Sequence, residues 1–542
     1  MHSARHDDGT RRRRLTPDTN LLSPENLEAI APYLASEDYM TFLRALPDQL
    51  RTPALRLVAM LAHVLGSDAI WPGLDLGVLT QLANAKNILA QLLSVHPTLR
   101  ATTPTALPNM PPVLAPPSRP WPMLGHLSLT FAAWAMDPAV LTTVQQVLTF
   151  NAASLRSIEV HFSAPYVREW DELKPAQNAL LEMLVGLLVA LQRIEKLTLR
   201  ATHKLRFPDA AAASLAAWID TTPLTSLTMN NMYELSSTQS VWAKPTLVSL
   251  ALDPLFRFNH RAAFSRWLTH IDLRLFGPYQ LYYVAERLID CPLTSLHFRL
   301  EDGDTIKGGQ DVQRFLETHL PSLHQLTTLR LTSVHLSTTH CLTLALLLPR
   351  YKHVALTSNK LGDAGVLALA PFLRHTSQLE TLKLVGQGFG DVGASALATA
   401  LKHTPLLHTL DLGRNEIKMS GVVALSHLFP YLPRLATWRL SNNPLGAKGL
   451  VFLLRAWTYV ELNTTMLIDA RSTIDNNDDS RDVDALIAAL PRHRTCLVAT
   501  ETPTTEGEHQ TIAYAETPIL RRPVQLAILM APQQVLDENE DM

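Results

Sequence analysis

Apolar residues recur at a fixed interval in the C-terminal half of the chain. Four segments follow the template L-x-x-L-x-L-x-x-N-x-L, with other apolar residues at some Leu positions, and they begin 28 residues apart. Their first residues are Tyr351, Leu379, Leu407 and Leu435. Apolar and polar positions alternate inside each segment, which predicts a short strand with one buried face. The amide residue that follows predicts a turn whose backbone groups its side chain satisfies.

A helix is predicted after each of these turns. In the second segment Ala396, Leu397, Ala400 and Leu401 fall at helical spacing and form one apolar face. A strand and a helix of this length cannot bury their apolar faces alone, so each unit needs neighbours on both sides. The pattern therefore predicts an α/β solenoid, with a curved parallel sheet and with helices on the convex side.

Glycines open the predicted helices in a recurring pattern. Gly362–Gly365 and Gly390–Gly393 read Gly-Asp-x-Gly, Gly446–Gly449 reads Gly-Ala-x-Gly, and Gly421 keeps only the second glycine. With the Asn and the 28-residue spacing, this resembles the ribonuclease-inhibitor type of leucine-rich repeat. The resemblance implies a solenoid that binds other proteins.

The same L-x-x-L-x-L order continues upstream with irregular spacing and without the Asn. The segments begin at Leu155, Ile194, Leu224, Leu247, Leu268, Leu293 and Leu326, with Leu124 as a candidate first one. We expect them to add strands to one continuous sheet. The predicted ranges are a disordered basic leader (1–20), a helical module (21–100), a Pro-rich linker (101–120), the solenoid (121–467), a C-terminal cap (468–500) and a mostly disordered tail (501–542).

The helical module carries a second motif. It opens with Leu22-Ser23-Pro24-Glu25 and closes with Trp71-Pro72-Gly73-Leu74. This order resembles a degenerate F-box, with Ser23 in place of the usual Pro and with Pro32 inside the first helix. The resemblance implies docking to the adaptor of a cullin-based ubiquitin ligase through Leu22, Leu27, Ile30, Leu34 and Trp71. The alternative is a helical cap that covers the N-terminal end of the repeat stack.

Composition narrows the function classes. The formal net charge is −2, which gives no argument for a nucleic acid or a membrane as partner. Cys291, Cys341 and Cys496 form no paired framework, which favours a reducing compartment, the cytoplasm or alternatively the nucleus. No stretch of 18 apolar residues is present.

The predicted binding surface is the concave face of the sheet, where the residues between and after the leucines project. Arginines outnumber acids there. The predicted partner-binding residues are Arg200, Arg274, His297, Arg299, Arg330, Lys383, Asp411 and Arg439. A guanidinium suits carboxylate or phosphate recognition, so we expect a protein partner with an acidic or phosphorylated segment. The alternative is that these arginines are ordinary solvated surface residues.

The sequence contains no recognisable set of catalytic residues. The 21 histidines are scattered, and no metal-ligand or nucleotide-binding motif accompanies them. We expect a non-enzymatic recognition protein without a cofactor or a metal. The alternatives are a stand-alone scaffold or inhibitor and a GTPase-activating protein of the Ran type, which shares this repeat class and an acidic tail like Asp537–Asp541.

Overall fold

Parallel strands alternate with helices in the computed structural model. It describes residues 51–65, 126–135, 155–168, 171–232, 244–254, 264–301 and 309–458, and short pieces at 74–75, 98–101, 141–142, 144–145, 148–149, 152–153, 465–468 and 495–498. The chain divides into two units, Met1–Leu224 and Thr225–Met542.

The first unit contains strands β1 to β5, and each strand pairs in parallel with the next. The strands are β1 (Leu74–Asp75), β2 (Thr98–Ala101), β3 (His126–Phe131), β4 (Ser157–Phe162) and β5 (Lys196–Leu205). Its helices are α1 (Pro53–Leu65), α2 (Lys174–Val189) and α3 (Asp209–Thr221).

The second unit contains strands β6 to β16, again parallel and paired in chain order. The strands are β6 (Ser226–Met232), β7 (Ser249–Asp253), β8 (His270–Leu275), β9 (Ser295–Leu300), β10 (Thr328–Thr332), β11 (His353–Thr357), β12 (Thr381–Val385), β13 (Thr409–Asp411), β14 (Thr437–Arg439), β15 (Thr465–Ile468) and β16 (Thr495–Val498). The helices are α4 (Pro278–Glu286), α5 (Gly309–Arg314), α6 (Leu320–Ser322), α7 (Thr338–Ala345), α8 (Gly362–Leu373), α9 (Asp391–Ala400), α10 (Met419–Ser426) and α11 (Gly446–Thr458). A π-helical turn (Phe315–His319) joins α5 to α6, and 3-10 turns lie at Leu348–Arg350, Leu401–His403 and Phe429–Tyr431.

The repeat leucines form the core, as the alternation predicts. Buried and half-buried residues alternate along β11 and β12, and Leu382 and Leu384 are each 1% exposed. Tyr351 and Trp438, which hold Leu positions of the template, are also fully buried. Because the buried face of each strand packs toward the helices, the fold is the predicted leucine-rich-repeat solenoid.

The buried amides of the turns bind one repeat to the next. Asn415 donates to the carbonyl oxygen of Leu384 at 2.7 Å and accepts from the backbone nitrogen of Gln387 at 2.8 Å. Asn443 donates to Leu412 at 2.9 Å in the same way. These bonds satisfy backbone groups that the strands leave unpaired as they end. They fix the turns at one edge of the sheet and so position its exposed side chains.

A second inter-repeat contact explains the Gly-Asp-x-Gly pattern. The Asp363 carboxylate accepts from the backbone nitrogens of Gly390 (3.0 Å) and Gly393 (2.7 Å), at the start of α9. Asp391 does the same for Lys418 and Gly421, at the start of α10, with both distances 2.8 Å. Each aspartate therefore caps the helix of the following repeat. A Cβ on Gly421 would lie 2.6 Å from this carboxylate oxygen of Asp391, so the glycine makes room for the cap.

Strand pairing extends past the predicted solenoid range of 121–467 at both ends, which corrects that boundary. β1 and β2 lie inside the range predicted as a helical module, and β16 lies inside the range predicted as a cap. Ladder pairing uses backbone groups and needs no leucine template, so these strands escaped the sequence pattern.

Several predictions concern residues outside the described part. The adaptor-binding residues Leu22, Leu27, Ile30, Leu34 and Trp71 lie there, as do the leader, the linker after Ala101 and the tail. In the part that the structure describes, no helix combines the length and the apolar character that a membrane crossing requires.

Candidate protein-binding face

The exposed face of the second unit's sheet carries two rows of side chains in register. The first row runs across β8 to β14 and consists of Asp272, His297, Arg330, Ala355, Lys383, Asp411 and Arg439. The second row runs across β8 to β12 and consists of Arg274, Arg299, Thr332, Thr357 and Val385. Both rows alternate with the buried core residues, so they share the face that points away from the helices.

The structure brings seven of the eight predicted partner-binding residues into these rows. His297, Arg330, Lys383, Asp411 and Arg439 lie in the first row, and Arg274 and Arg299 lie in the second. Arg200 is exposed on β5 in the first unit, where Glu159 contacts its guanidinium at 3.5 Å. The alternation along the strands therefore predicted which side chains share one face, whereas the ion pairs on that face became visible only in the structure.

Carboxylates of the chain itself neutralise the arginines of the second row. Arg274 contacts Asp253 at 3.2 Å and Glu301 at 3.3 Å. Arg299 contacts Asp253 at 2.9 Å and Asp272 at 3.0 Å. Two guanidinium groups thus share three carboxylates, and Asp253 bridges them. An acidic partner gains little from these arginines, because it would have to displace an existing ion pair.

His297 continues this network in the first row. Its Nδ1 lies 3.0 Å from an Asp272 carboxylate oxygen, and its Nε2 lies 3.2 Å from the Thr332 hydroxyl. Burial acts to raise the pKa of Asp272, but the hydrogen bonds and charges of His297 and Arg299 outweigh burial, and that pKa falls below the ordinary value of 3.8. Asp272 is therefore an ionised anchor that holds both side chains on the face.

Asp411 and Arg439 form a second, smaller pair. Asp411 is 7% exposed, and one of its oxygens accepts from the backbone nitrogen of Gly413 at 3.1 Å. Its other oxygen lies 3.8 Å from the Arg439 guanidinium. Asp411 is thus committed to the turn after β13, which leaves little of its carboxylate for a partner.

Arg330 and Lys383 differ from the other basic residues of the face. Within the described residues, neither makes an ion pair or a side-chain hydrogen bond. Arg330 is exposed and Lys383 is half-buried, with Ala355 between them on β11. The unpaired positive charge of the face is concentrated at this point.

The ion pairs between these arginines and acids of the same chain were not predicted from the sequence. Asp253 and Asp272 occupy the same alternating strand positions that identified Arg274 and Arg299, so a usable signal was present. Glu301 follows the end of β9 and has no place in the template. Acids at the alternating positions of the strand next to each arginine include Asp253 and Asp272 but not Glu301.

Groups of three or more His, Cys, Asp or Glu side chains arranged to hold a metal ion are absent from the described residues. Two of the described histidines make local contacts. His353 contacts the Thr381 hydroxyl at 3.1 Å, and His340 closes a reciprocal cap with Ser337 at the start of α7.

Comparison with known proteins agrees with the repeat assignment. The Leucine Rich repeat family model matches residues 352–370 and 403–426, inside the region with the 28-residue period. A search of curated proteins found no match. The parallel strand pairing and this match define the fold class, a leucine-rich-repeat solenoid.

Two solved structures are similar to parts of the chain. An internalin from Listeria monocytogenes is 16% identical, covers 77% of this chain and 94% of its own, and has a TM-score of 0.29. Actin-binding site 2 of leiomodin-1 is 18% identical, covers 22% of this chain and 69% of its own, and has a TM-score of 0.20. Both TM-scores are low, so the fold assignment rests on the strand pairing and the buried leucines described above.

Proposed function

We propose that this protein is a non-enzymatic recognition protein whose exposed sheet face binds another protein. The observation that carries the proposal is the pair of in-register rows of mostly polar side chains, which no described element covers. Parallel strands hold these side chains at fixed spacings of about 4.8 Å, so the face is organised before a partner arrives. Leucine-rich repeats typically serve as such interaction scaffolds.

The test is to obstruct the face and measure partner capture. The double variant Ala355→Trp/Thr357→Trp places two large rings on the exposed side of β11, where aromatic residues are well tolerated in a strand. A matched control, Leu367→Trp/Val392→Trp, adds the same rings to exposed positions of α8 and α9. We expect the full-length face variant to lose its cross-linked partners and the control to keep them. Equal capture by both would contradict the proposal.

A finer proposal concerns the N-terminal segment. Its F-box-like motif supports docking to a ubiquitin-ligase adaptor through Leu22, Leu27, Ile30, Leu34 and Trp71, which would make the protein a substrate-recognition subunit. The pairing of Leu74–Asp75 with β2 favours the rival role, in which this segment caps the sheet of a stand-alone scaffold or inhibitor. The Gly-Asp-x-Gly caps support the ribonuclease-inhibitor subtype of the repeat, and the spacing of the three cysteines, which forms no paired framework, supports a cytoplasmic or nuclear location.

Co-purification with the adaptor separates the two roles. Leu27→Ala/Trp71→Ala should abolish adaptor association if the segment docks, while Met60→Ala, at an exposed position of α1, should not change it. A structural cap predicts no adaptor with the wild-type protein, and instead a lower unfolding midpoint for the double variant.

A further inference from the structure

The centre of the first row reads Arg330, Ala355, Lys383 on three adjacent strands. The acids of this row are Asp272, two strands before Arg330, and Asp411, on the strand after Lys383, and both already have partners. Asp272 contacts His297 and Arg299, and Asp411 contacts Gly413 and Arg439. Two cations therefore flank a small residue, and no described carboxylate lies within ion-pair distance of them.

The spacing lets both cations reach one group. Strands in a sheet lie about 4.8 Å apart, so the backbones of Arg330 and Lys383 are separated by about 10 Å. Both side chains are long enough to converge above Ala355, whose methyl group leaves space there. Thr357 lies two residues beyond Ala355 on the same face and supplies a hydroxyl donor.

We propose that Arg330 and Lys383 bind a phosphoryl group on a side chain of the protein partner, an inference that rests on the proposed function of this face. A phosphomonoester carries a charge of about −1.5 to −2 and three acceptor oxygens. The Arg330 guanidinium can take two oxygens side by side, and the Lys383 ammonium can take the third as a point charge. A single carboxylate is satisfied by the arginine alone and leaves Lys383 unmatched.

The rest of the face argues for this position over the paired arginines. A phosphoryl group near Arg299 would meet Asp253 and Asp272, at 2.9 and 3.0 Å from that guanidinium. Like-charge contact with two carboxylates opposes binding there. Among the described residues no carboxylate forms an ion pair with Arg330 or Lys383, and the neighbouring Asp411 is held by Gly413 and Arg439. The positive charge of the two side chains is therefore free to match the charge of the ligand.

The experiment uses the full-length protein and three immobilised degenerate peptide pools, centred on phosphoserine, on serine and on a pair of glutamates. We expect retention by the phosphoserine pool alone. Arg330→Gln/Lys383→Gln should weaken that retention at least tenfold, since it removes both charge-assisted contacts to the phosphoryl oxygens. Lys383→Arg keeps the charge and should retain binding.

The matched control is Arg374→Gln/Arg434→Gln, which removes the same charge from exposed positions outside both rows. It should bind the phosphoserine pool as the wild type does, and circular dichroism should show both double variants folded. Equal retention by the glutamate pool would replace the phosphoryl group with a plain acidic segment and overturn the proposal. Unchanged binding by Arg330→Gln/Lys383→Gln would also overturn it.

Failure of this inference can be told from failure of the proposed function. If Ala355→Trp/Thr357→Trp loses its partners while phosphatase treatment and Arg330→Gln/Lys383→Gln leave capture intact, the face binds protein without a phosphoryl group. If no variant of the face changes capture, both proposals are wrong.

Discussion

Single buried amide side chains make many of the hydrogen bonds that hold the turns. Asn415 donates to the carbonyl oxygens of Leu384, Leu412 and Gly413 at 2.7, 2.9 and 3.1 Å, and accepts from the backbone nitrogens of Gln387 and Gly388 at 2.8 and 3.1 Å. It is 5% exposed, so water cannot replace these partners easily. Gln387 fills the same place one repeat earlier and donates to the carbonyls of Leu356 and Val385. The template therefore requires an amide there, and either length of side chain can meet the requirement.

Replacement of Asn415 by Ala should destabilise the protein by about 3 kcal/mol, because several buried backbone groups lose their partner at once. Urea unfolding followed by circular dichroism measures the change. Gln378→Ala, at an exposed position before β12, should shift the free energy of unfolding by less than about 0.5 kcal/mol. Similar effects of the two substitutions would show that the Asn415 bonds do not matter for stability.

Two buried cysteines give a second test at this scale. Burial, with a smaller contribution from Asp290, raises the pKa of the Cys291 thiol to about 11, and burial raises that of Cys341 to about 12. The thiolate is the reactive form, so neither residue should react with iodoacetamide at pH 7.5 while the protein is folded. Mass spectrometry of peptides labelled before and after urea unfolding checks this for each cysteine separately. Labelling of Cys341 in the folded protein would contradict its complete burial.

At the scale of the elements, the sequence predicted the strand and helix inside each repeat, but it did not predict the hydrogen bonds and ion pairs between repeats. Alternation along Thr381–Val385 predicted a strand, and its leucines are buried. The aspartates of Gly-Asp-x-Gly were recognised as a motif without a role, because the amides that they bind lie 27 and 30 residues further along, as with Asp363 and the nitrogens of Gly390 and Gly393. The ion pairs between strands were also not predicted, because the partners of Arg299 lie on two other strands and are distant from it in the sequence.

The third aspartate position of this series holds Met419, which cannot accept a hydrogen bond from the next helix. A Cβ on Gly449, in the first turn of α11, would lie 3.4 Å from the Met419 Cα, so position 419 borders the helix that it would cap. Met419→Asp should therefore stabilise the protein by about 0.5–1 kcal/mol through the free amides of α11 and its dipole.

The converse substitution, Asp391→Ala, removes an existing cap of α10 and should destabilise by about 1 kcal/mol. Met419→Asn is the matched control for Met419→Asp, because it keeps a hydrogen-bond acceptor and lacks the charge. Thermal unfolding of the three variants measures the effects. A lower unfolding temperature for Met419→Asp than for the wild type would contradict the inter-repeat cap.

At the scale of the whole molecule, stacking reaches further than the leucine pattern. β2 reads Thr-Leu-Arg-Ala and β16 reads Thr-Cys-Leu-Val, and neither completes the L-x-x-L-x-L template. Their parallel pairing depends on backbone groups and on a neighbouring strand that is already in place, and neither condition leaves a mark in the sequence. A solenoid can therefore continue with strands that have lost the repeat template.

Buried and half-buried histidines in both units link the stability of the whole molecule to pH. The pKa of His126, His161, His319, His340 and His353 is lowered from the ordinary value of 6.5, in each case chiefly because burial disfavours the charged ring. Between the lowered pKa and 6.5 the unfolded chain binds more protons than the folded chain. The stability of the folded state is therefore full above about pH 6.5 and is lost as pH falls below that value.

The urea midpoint should accordingly fall between pH 7.5 and pH 5.5. His319 tests the cause, because its two ring nitrogens have no hydrogen-bond partner among the described residues and its ring packs on Tyr282 at 4.8 Å between ring centres. His319→Phe keeps an aromatic ring in this place and removes the titrating group, so its midpoint should fall less over the same pH interval. His375→Gln, at an exposed position after α8, should fall as much as the wild type. If His319→Phe and the wild type lose the same stability, burial of His319 does not contribute to the pH dependence. If the wild-type midpoint rises toward pH 5.5, the folded chain binds protons more tightly than the unfolded chain, which contradicts the prediction.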